Sequence, residues 1–394
     1  MLSWHEARAA CAAVPALPAE DVPLAGADGR VLAEPLVTLT DLPAFPTSSV
    51  DGWAGRGEQP WRITGRVLAG YDPEPLAEDG TCVEIATGAS VPDGVEAIVR
   101  VEDSTVADGH VTGSPRPARD WRDVGEEAAK GEVLIPAGSV VTPGVIGLAA
   151  HCGYTTLSVR ARVRVAVLVF GDELLTDGLP GAGRVRDALG PQVPAWLDRL
   201  GASVEYIHGP VEDTLEAHVS ALAAALERAD VVCTTGGTMH GPVDHLHPAL
   251  AELGGSYVVN TVKVRPGFPM LVAAMPGGKY VAGLPGNPQS AIVALMSLVQ
   301  PLLAGLSGRP VSLPRVVLGA PVPGRGDYTH LALARLGEGG AVPLRHAGSA
   351  MLRGLAQADG FAVIPGGETG TPGHEVEFLP FPLLPGESTG GPSS

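Results

Sequence analysis

Three short stretches in the middle of the chain carry residue types that could hold an anion and a cation side by side. They are Gly171-Asp172-Glu173-Leu174, Gly236-Gly237-Thr238 and Pro285-Gly286-Asn287-Pro288-Gln289-Ser290. Each follows an apolar run, and in an open parallel sheet ligands bind beyond the carboxyl ends of the strands. In the third stretch Asn287 is a preferred N-cap, Pro288 suits the first helical position, and an apolar helix runs on from Ala291. The unpaired N–H groups and positive end of such a helix attract a phosphate or carboxylate, and Gly286 permits close backbone approach. Gly236 and Gly237, flanked by Thr234, Thr235 and Thr238, make a second turn able to present backbone donors. Lys263 and Arg265, just ahead of Pro266-Gly267, add cations. Singly, the first turn is an ordinary well-capped helix start and the second a flexible loop. Two of them at one sheet edge predict a pocket for a phosphate-bearing ligand.

Carboxylates gather at the same presumed loops: Asp172, Glu173, Asp187, Asp213 and Asp244. Beside phosphate donors they suit Mg²⁺, which takes oxygen ligands and bridges protein to phosphate. Any one alone reads as a solvated charge or a helix cap, Asp213 ahead of Thr214 especially. The run His240 to His247 holds three imidazoles and Asp244. It lacks a helical i, i+4 frame, so it reads as a polar loop rather than a zinc or iron site. Residues 45–57 contain Asp51-Gly52, a tight-turn pair. No Ser–His–Asp or Cys–His frame points to covalent catalysis.

The elements that must position these residues alternate in the βα manner over 161–308. Apolar runs at Val163 to Phe170, Asp230 to Thr234 and Tyr280 to Leu284 interleave with helical segments at Pro191 to Leu200, Leu215 to Arg228 and Pro288 to Leu303. Buried parallel strands read as continuous Val-rich runs, and VRVAVLVF does, so a parallel sheet covered on both faces is expected. Residues 1–160 read as a composite of mixed α/β with a β-rich subdomain over about 45–140, and 309–384 as a small β domain. The last residues, 385–394, have nothing to bury and are expected to be disordered.

Composition narrows the partners. The chain has 394 residues, 45% of them hydrophobic and 18% charged, as in soluble globular proteins of several domains. A net charge of −17 opposes nucleic acid and anionic membranes, which need a basic face. Four cysteines far apart with no CxxC pair suggest neither a zinc knuckle nor disulfides, which fits a reducing cytoplasm. The N-terminus reads as an amphipathic helix and not a signal peptide. Ala291 to Leu303, interrupted by Gln300 and Pro301, is too short to span a bilayer and reads as a buried helix.

In this order, PTSSVDGWAGR, ATGASVPDGVEAIV, GDEL, TTGG, VRPG and GLPGNPQSA resemble the motif series of molybdopterin molybdenumtransferases, the family that includes the C-terminal domain of gephyrin. The resemblance spans most of the chain. It implies an elongated homodimer with a composite N-terminal region, a molybdopterin-binding βα domain and a C-terminal β barrel. It also implies a cytoplasmic reaction: insertion of molybdate into adenylylated molybdopterin with Mg²⁺ assisting and AMP released, with contact to the molybdopterin adenylyltransferase. Mapped residue by residue, Asp51, Thr87 and Glu173 match functional positions of the family and are expected to be catalytic, and Lys263 and Arg265 are this chain's own candidates for the cations that attract molybdate. Asp213 and Asp244 match aspartates of the pterin-binding domain and Gly286, Asn287 and Pro288 the turn lining its pocket; with Gly236, Gly237, Thr238, Pro285 and Ser290 they are expected to hold the pterin, and Glu173, Asp187 and Asp244 the metal.

Several positions depart from that series. The family's GED turn reads Gly125-Glu126-Glu127, and its Ser/Thr-Gly-Asp-Glu reads Phe170-Gly171-Asp172-Glu173. Asp187 lacks the partner Asn of the usual Y-D-T/S-N stretch. The loop ending Asp-Tyr-x-Lys becomes Asp244-His245-Leu246-His247, and KPGKP becomes Arg265-Pro266-Gly267-Phe268-Pro269. Each lost cation removes a charge-assisted contact to an anion. Two rivals follow: a paralogue that carries the pterin or a related nucleotide without turnover, and the adenylyltransferase that precedes this step.

Overall fold

The computed structural model describes residues 1–117, 119–239 and 244–383. His240 and the tail expected to be disordered lie outside them. The chain forms two compact units, one of Met1–Glu20, Gly29–Ala33 and Val159–Ser394, the other of Asp21–Asp28 and Glu34–Ser158.

The smaller unit is built on a six-stranded sheet in the order Ala97–Arg100, Gly52–Arg56, Thr81–Ile85, Trp61–Val67, His110–Gly113, Ser104–Ala107. Alternation along its strands feeds two cores. Ala54, Ile85 and Ile98 pack on one side, and Trp61, Cys82, Val99 and Val111 on the other.

The larger unit centres on a second six-stranded sheet, ordered Ser203–Val211, Arg164–Phe170, Val231–Thr235, Lys279–Leu284, Leu271–Met275, Ser256–Asn260. Its first four strands are parallel. The last two run antiparallel, so the sheet is mixed and not wholly parallel as the sequence suggested. The cause is local: Pro276-Gly277-Gly278 turns Leu271–Met275 straight back into Lys279–Leu284, with both glycines at positive φ. Both faces are covered. Val165, Val167 and Val169 pack under helices Leu189–Arg199 and Pro288–Leu306, while Ala166, Leu168 and Phe170 pack under Leu215–Arg228 and Leu246–Glu252.

Helix Pro288–Leu306 has 19 residues and runs unbroken through Gln300 and Pro301, against the expected interruption. A π turn over Leu295–Val299 widens the helix ahead of Pro301, whose ring lacks an N–H and would clash with a regular α turn. Arg8 donates to the Met296 carbonyl at 2.7 Å and Trp4 Nε1 to Ser297 Oγ at 2.8 Å, so helix Trp4–Ala12 secures this turn. By length and composition alone the helix could cross a bilayer, but 94% of its most apolar window is buried in the fold.

The C-terminal sheet has seven strands and closes on itself in the manner of the expected barrel, since Leu318 bridges Ala341 and the Gly319 N–H donates to Ala341 O at 2.9 Å, joining Arg315–Val317 to Gly340–Pro343. Its order is Leu2–Ser3, Val262–Arg265, Thr329–Gly337, Gly360–Ile364, Glu375–Pro380, Arg315–Val317, with Gly340–Pro343 paired to Thr329–Gly337. Strand Val262–Arg265 therefore leaves the central sheet's neighbourhood in sequence to pair with this one. That carries Arg265 to the end of the strand beside His330.

Candidate functional site

The carboxyl ends of the parallel strands open into a cavity of about 1000 Å³, all of whose lining residues belong to the larger unit. Gly236 and Gly237 sit consecutively at φ 90° and 69°, a left-handed pair that side chains with a Cβ resist. The second turn adjoins the first: a Cβ on Gly286 would lie 3.8 Å from the Gly236 Cα. Gly236, Gly237, Thr238, Asp244, Pro285, Gly286, Asn287 and Ser290 all line the cavity.

The donors differ from those expected. Gly236 N–H donates to Leu284 O at 2.8 Å, continuing the ladder between its strand and Lys279–Leu284. Helix Pro288–Leu306 has Pro288 at its start, as its sequence suggests, but Asn287 makes no side-chain cap bond. Its first amides are taken instead: Gln289 and Ser290 both donate to the Ser349 carbonyl, at 3.0 and 3.3 Å. An anion held by the helix terminus itself is thereby ruled against at these two amides. Among the described residues, the amides of Gly237, Thr238, Gly286 and Asn287 carry no hydrogen bond, and all four residues line the cavity. The turns, more than the helix end, supply the free backbone donors.

The cationic wall has one expected member and one missed. Arg265 lines the cavity with its guanidinium 4.7 Å from the Phe268 ring centre and 4.5 Å from that of Tyr328. Phe268, which replaces a cation in the motif, thus clamps the cation that remains. Lys263 lies two residues back on the same strand, outside the lining, where its charge helps hold the Glu6 carboxyl below the ordinary range, after the bonds from Ser3. Arg325, Tyr328, His330 and Ser349 come from the C-terminal sheet and its loops. Sequence reading passed over them, although PVPGRGDYTHL puts an Arg and a Tyr in a Gly/Pro turn before a strand. Burial holds His330 below the usual imidazole range, and its Nδ1 lies 2.8 Å from the Pro323 carbonyl, which can only accept. The proton therefore sits on Nδ1 and leaves Nε2 as an acceptor.

The carboxylates divide. Asp172 and Asp213 are brought together, each accepting from the other's backbone N–H at 3.3 and 3.4 Å. Glu173 folds back over Gly171, where a Cβ would meet its carboxylate at 2.6 Å. Asp187 accepts from the Leu189 and Gly190 amides at 2.9 and 3.0 Å, so it starts helix Leu189–Arg199. Asp244 lines the cavity. Among the described residues no three His, Cys, Asp or Glu side chains converge as a metal-binding group, so Glu173, Asp187 and Asp244 are not assembled into one.

Behind this loop lies His218, wholly buried, with Nε2 3.6 Å from Asp213 Oδ1 and neither ring nitrogen hydrogen-bonded. It stacks on Phe170 at 3.9 Å and meets His245 edge-on at 5.6 Å. Two departures from the motif series, Phe170 and His245, therefore pack against one ring. Burial pushes the His218 imidazole below its ordinary value, against the pull of Asp213. His247, at the motif's lysine position, sits with Nδ1 2.6 Å from the Tyr257 hydroxyl.

In the smaller unit Asp51 and Thr87 do meet. Asp51 Oδ1 accepts from the Thr87 amide at 2.7 Å and its hydroxyl at 3.0 Å, which holds this exposed carboxyl below the ordinary range.

Comparison with known proteins agrees with this architecture. Residues 2–153 match the MoeA N-terminal region (domain I and II), 166–305 the probable molybdopterin binding domain, and 315–381 the MoeA C-terminal region (domain IV). The chain is 32% identical over 294 residues to the molybdopterin molybdenumtransferase of Haemophilus influenzae, covering 72% of each. It is 29% identical to that of Staphylococcus aureus, covering 92% of this chain and 91% of the relative. A crystal structure of the molybdopterin biosynthesis MoeA protein of Pyrococcus horikoshii matches it with a TM-score of 0.81 at 27% identity, over 97% of this chain and 99% of that one. The chain belongs to the molybdopterin molybdenumtransferase family.

Proposed function

We propose that the cavity of the larger unit holds the phosphate end of adenylylated molybdopterin, and that the chain inserts molybdate there, giving molybdenum-molybdopterin and AMP. One observation carries this reading: four backbone amides without partners, on two adjoining glycine turns, line one cavity together with Arg265 and Arg325. Amide donors fixed by the fold neutralise phosphate oxygens without reorganising, which is the form of stabilisation that phosphoanhydride cleavage needs. Gly237, Thr238, Gly286 and Asn287 bind and orient the phosphate, and Pro285 and Ser290 shape the wall around it, while Pro288, off the lining, starts the helix behind the turn. Arg265, stiffened between two rings, presents its remaining N–H groups to molybdate with Arg325 beside it on the lining. Asp213 holds Asp172 and so fixes the loop that bears Glu173. By the family's pattern Asp51 and Thr87 also serve the reaction, as one hydrogen-bonded pair.

Glu173, Asp187 and Asp244 are oxygen donors of the kind Mg²⁺ takes. They do not converge among the described residues, and Asp244, which lines the cavity, is the one that would meet an ion bound there with the phosphate. When bound, the ion supplies charge neutralisation on the phosphates. The chain works in the cytoplasm as a homodimer that receives its substrate from the adenylyltransferase. Its regions are a composite one to residue 160 with its β-rich part at 45–140, the pterin-binding domain at 161–308 and a β domain at 309–384.

The test is incubation of the purified chain with adenylylated molybdopterin, molybdate and Mg²⁺. Molybdate-dependent AMP release is expected. Tight pterin binding with no AMP released would install the carrier reading in its place, and consumption of ATP the adenylyltransferase one.

A further inference from the structure

Four arginines line a second, small cleft of the larger unit: Arg30, Arg160, Arg162 and Arg309. Such a grouping is out of character for a chain in which 43 acidic residues outnumber 26 Lys and Arg. Among the described residues only Arg30 has a carboxylate partner, Glu20; Arg160, Arg162 and Arg309 form no ion pair. Their bonds go to carbonyls. Arg30 donates to Arg160 O at 2.8 Å, Arg160 to Leu17 O at 3.2 Å and Arg309 to Leu200 O at 3.2 Å. Such bonds fix the stems and leave the positive charges uncompensated. Arg309 Nε is buried with no acceptor at all, and burial lowers the guanidinium's proton affinity. A buried donor left unmade is costly, and an unbalanced cation beside it more so, which asks for an anion at this place.

The cleft lies before the start of strand Arg164–Phe170, at the opposite end of the sheet from the pterin cavity, about 20 Å away by the rise of the strand. Its free volume is about 20 Å³, too small for a nucleotide base or a pterin ring. We propose that Arg160, Arg162 and Arg309, with Arg30 beside them, form a binding site for a single tetrahedral oxyanion, distinct from the catalytic cavity. Planar guanidinium forks match the paired oxygens of such an ion. The bound anion ties together the residues that precede the central sheet, the loop after helix Leu189–Arg199 and the chain that leaves helix Pro288–Leu306. Inorganic phosphate and molybdate share this chemistry and are the two sources to separate.

The experiment is thermal unfolding of the full chain in phosphate or in molybdate, against sodium chloride at equal ionic strength. The background is Arg265→Gln with Arg325→Gln, which strips the cations from the larger cavity; its backbone amides stay the same in every arm, so the rise read is the part that depends on the second cleft. Phosphate is expected to raise Tm by about 3 °C at saturation, and Arg162→Gln, an exposed arginine with no backbone bond, to abolish the rise without lowering Tm in chloride. Arg309→Gln serves as the second variant and loses the rise as well. A stronger rise in molybdate than in phosphate assigns the site to the substrate oxyanion, the reverse to phosphate. An equal rise in chloride, no rise in either oxyanion, or a rise that survives Arg162→Gln and Arg309→Gln together overturns the proposal.

Discussion

The two walls of the cavity proposed for the pterin are made in different ways. One is backbone: Gly236-Gly237 and Gly286-Asn287, which adjoin at the ends of adjacent parallel strands, offer amides whose positions the sheet dictates. The other is side chain: Arg265, Tyr328, Arg325 and the Ser349 loop, gathered from a different sheet. A backbone wall depends on conformations that only particular residues allow, so substitution there should be catastrophic. A side-chain wall is a sum of contacts, and its losses should be graded.

The largest effect is therefore expected from Gly237→Val. At φ 69° a β-branched residue is strained by about 1–3 kcal/mol, and its Cβ would stand 3.2 Å from that of Leu246. The shifted turn loses its aim at the phosphate, and a displacement near 1 Å costs on the order of 100-fold in rate. AMP release measured beside far-UV circular dichroism checks this; an active, folded variant would remove the backbone wall from the mechanism. Arg265→Ala comes next, with a charge-assisted contact worth about 1.5–3 kcal/mol and so a rise in the KM for molybdate of roughly 10- to 100-fold. Phe268→Ala frees one side of the clamp and should raise the same KM about 3-fold. If Phe268 acts through Arg265, the two effects will not add. Lys263→Gln, off the lining, should leave the KM within about twofold. An effect as large as that of Arg265→Ala would return Lys263 to the cavity.

The same division governs how far the sequence could be read. The βα alternation was legible to within one or two residues because strands buried on both faces write themselves as unbroken apolar runs, strand Gly360–Ile364 matched its expected bounds, and helix Leu215–Arg228 did so through its one-sided apolar spacing. So were the two glycine turns, ordinary singly but telling as a pair, since each follows a strand of one parallel sheet. The Ser349 carbonyl on the helix start was not legible, since a carbonyl belongs to no residue type and its partner lies about sixty residues away. Strand Val262–Arg265 was missed as a member of the C-terminal sheet for a related reason. Its alternating Val-Lys-Val-Arg states that one face is buried but not against which sheet. Phe268 was read as a loss because a motif comparison scores charge, whereas the geometry turns it into support for the neighbouring cation.

The last expected effect is on stability rather than rate and concerns helix Leu215–Arg228, where His218 is buried on Phe170 without a hydrogen bond to either nitrogen. Its folded pKa is depressed, so the unfolded chain, with the ordinary value of 6.5, binds the proton first as pH falls. The stability it contributes is therefore whole above pH 6.5 and declines as pH drops through that value toward the lower folded one. His330, also depressed by burial, adds a slope of the same sign. Phe in place of His218 keeps the stack and removes two unsatisfied nitrogens, so His218→Phe should gain about 1 kcal/mol near pH 6 and show a flatter dependence of Tm on pH between 7 and 5. Denaturant unfolding at several pH values reads this directly. A variant with the wild-type slope would mean that the imidazole is not neutral in the fold. Asp213 would then be paired with a cation, and the negative charge of the paired Asp172 and Asp213 loops would be smaller than the buried ring implies.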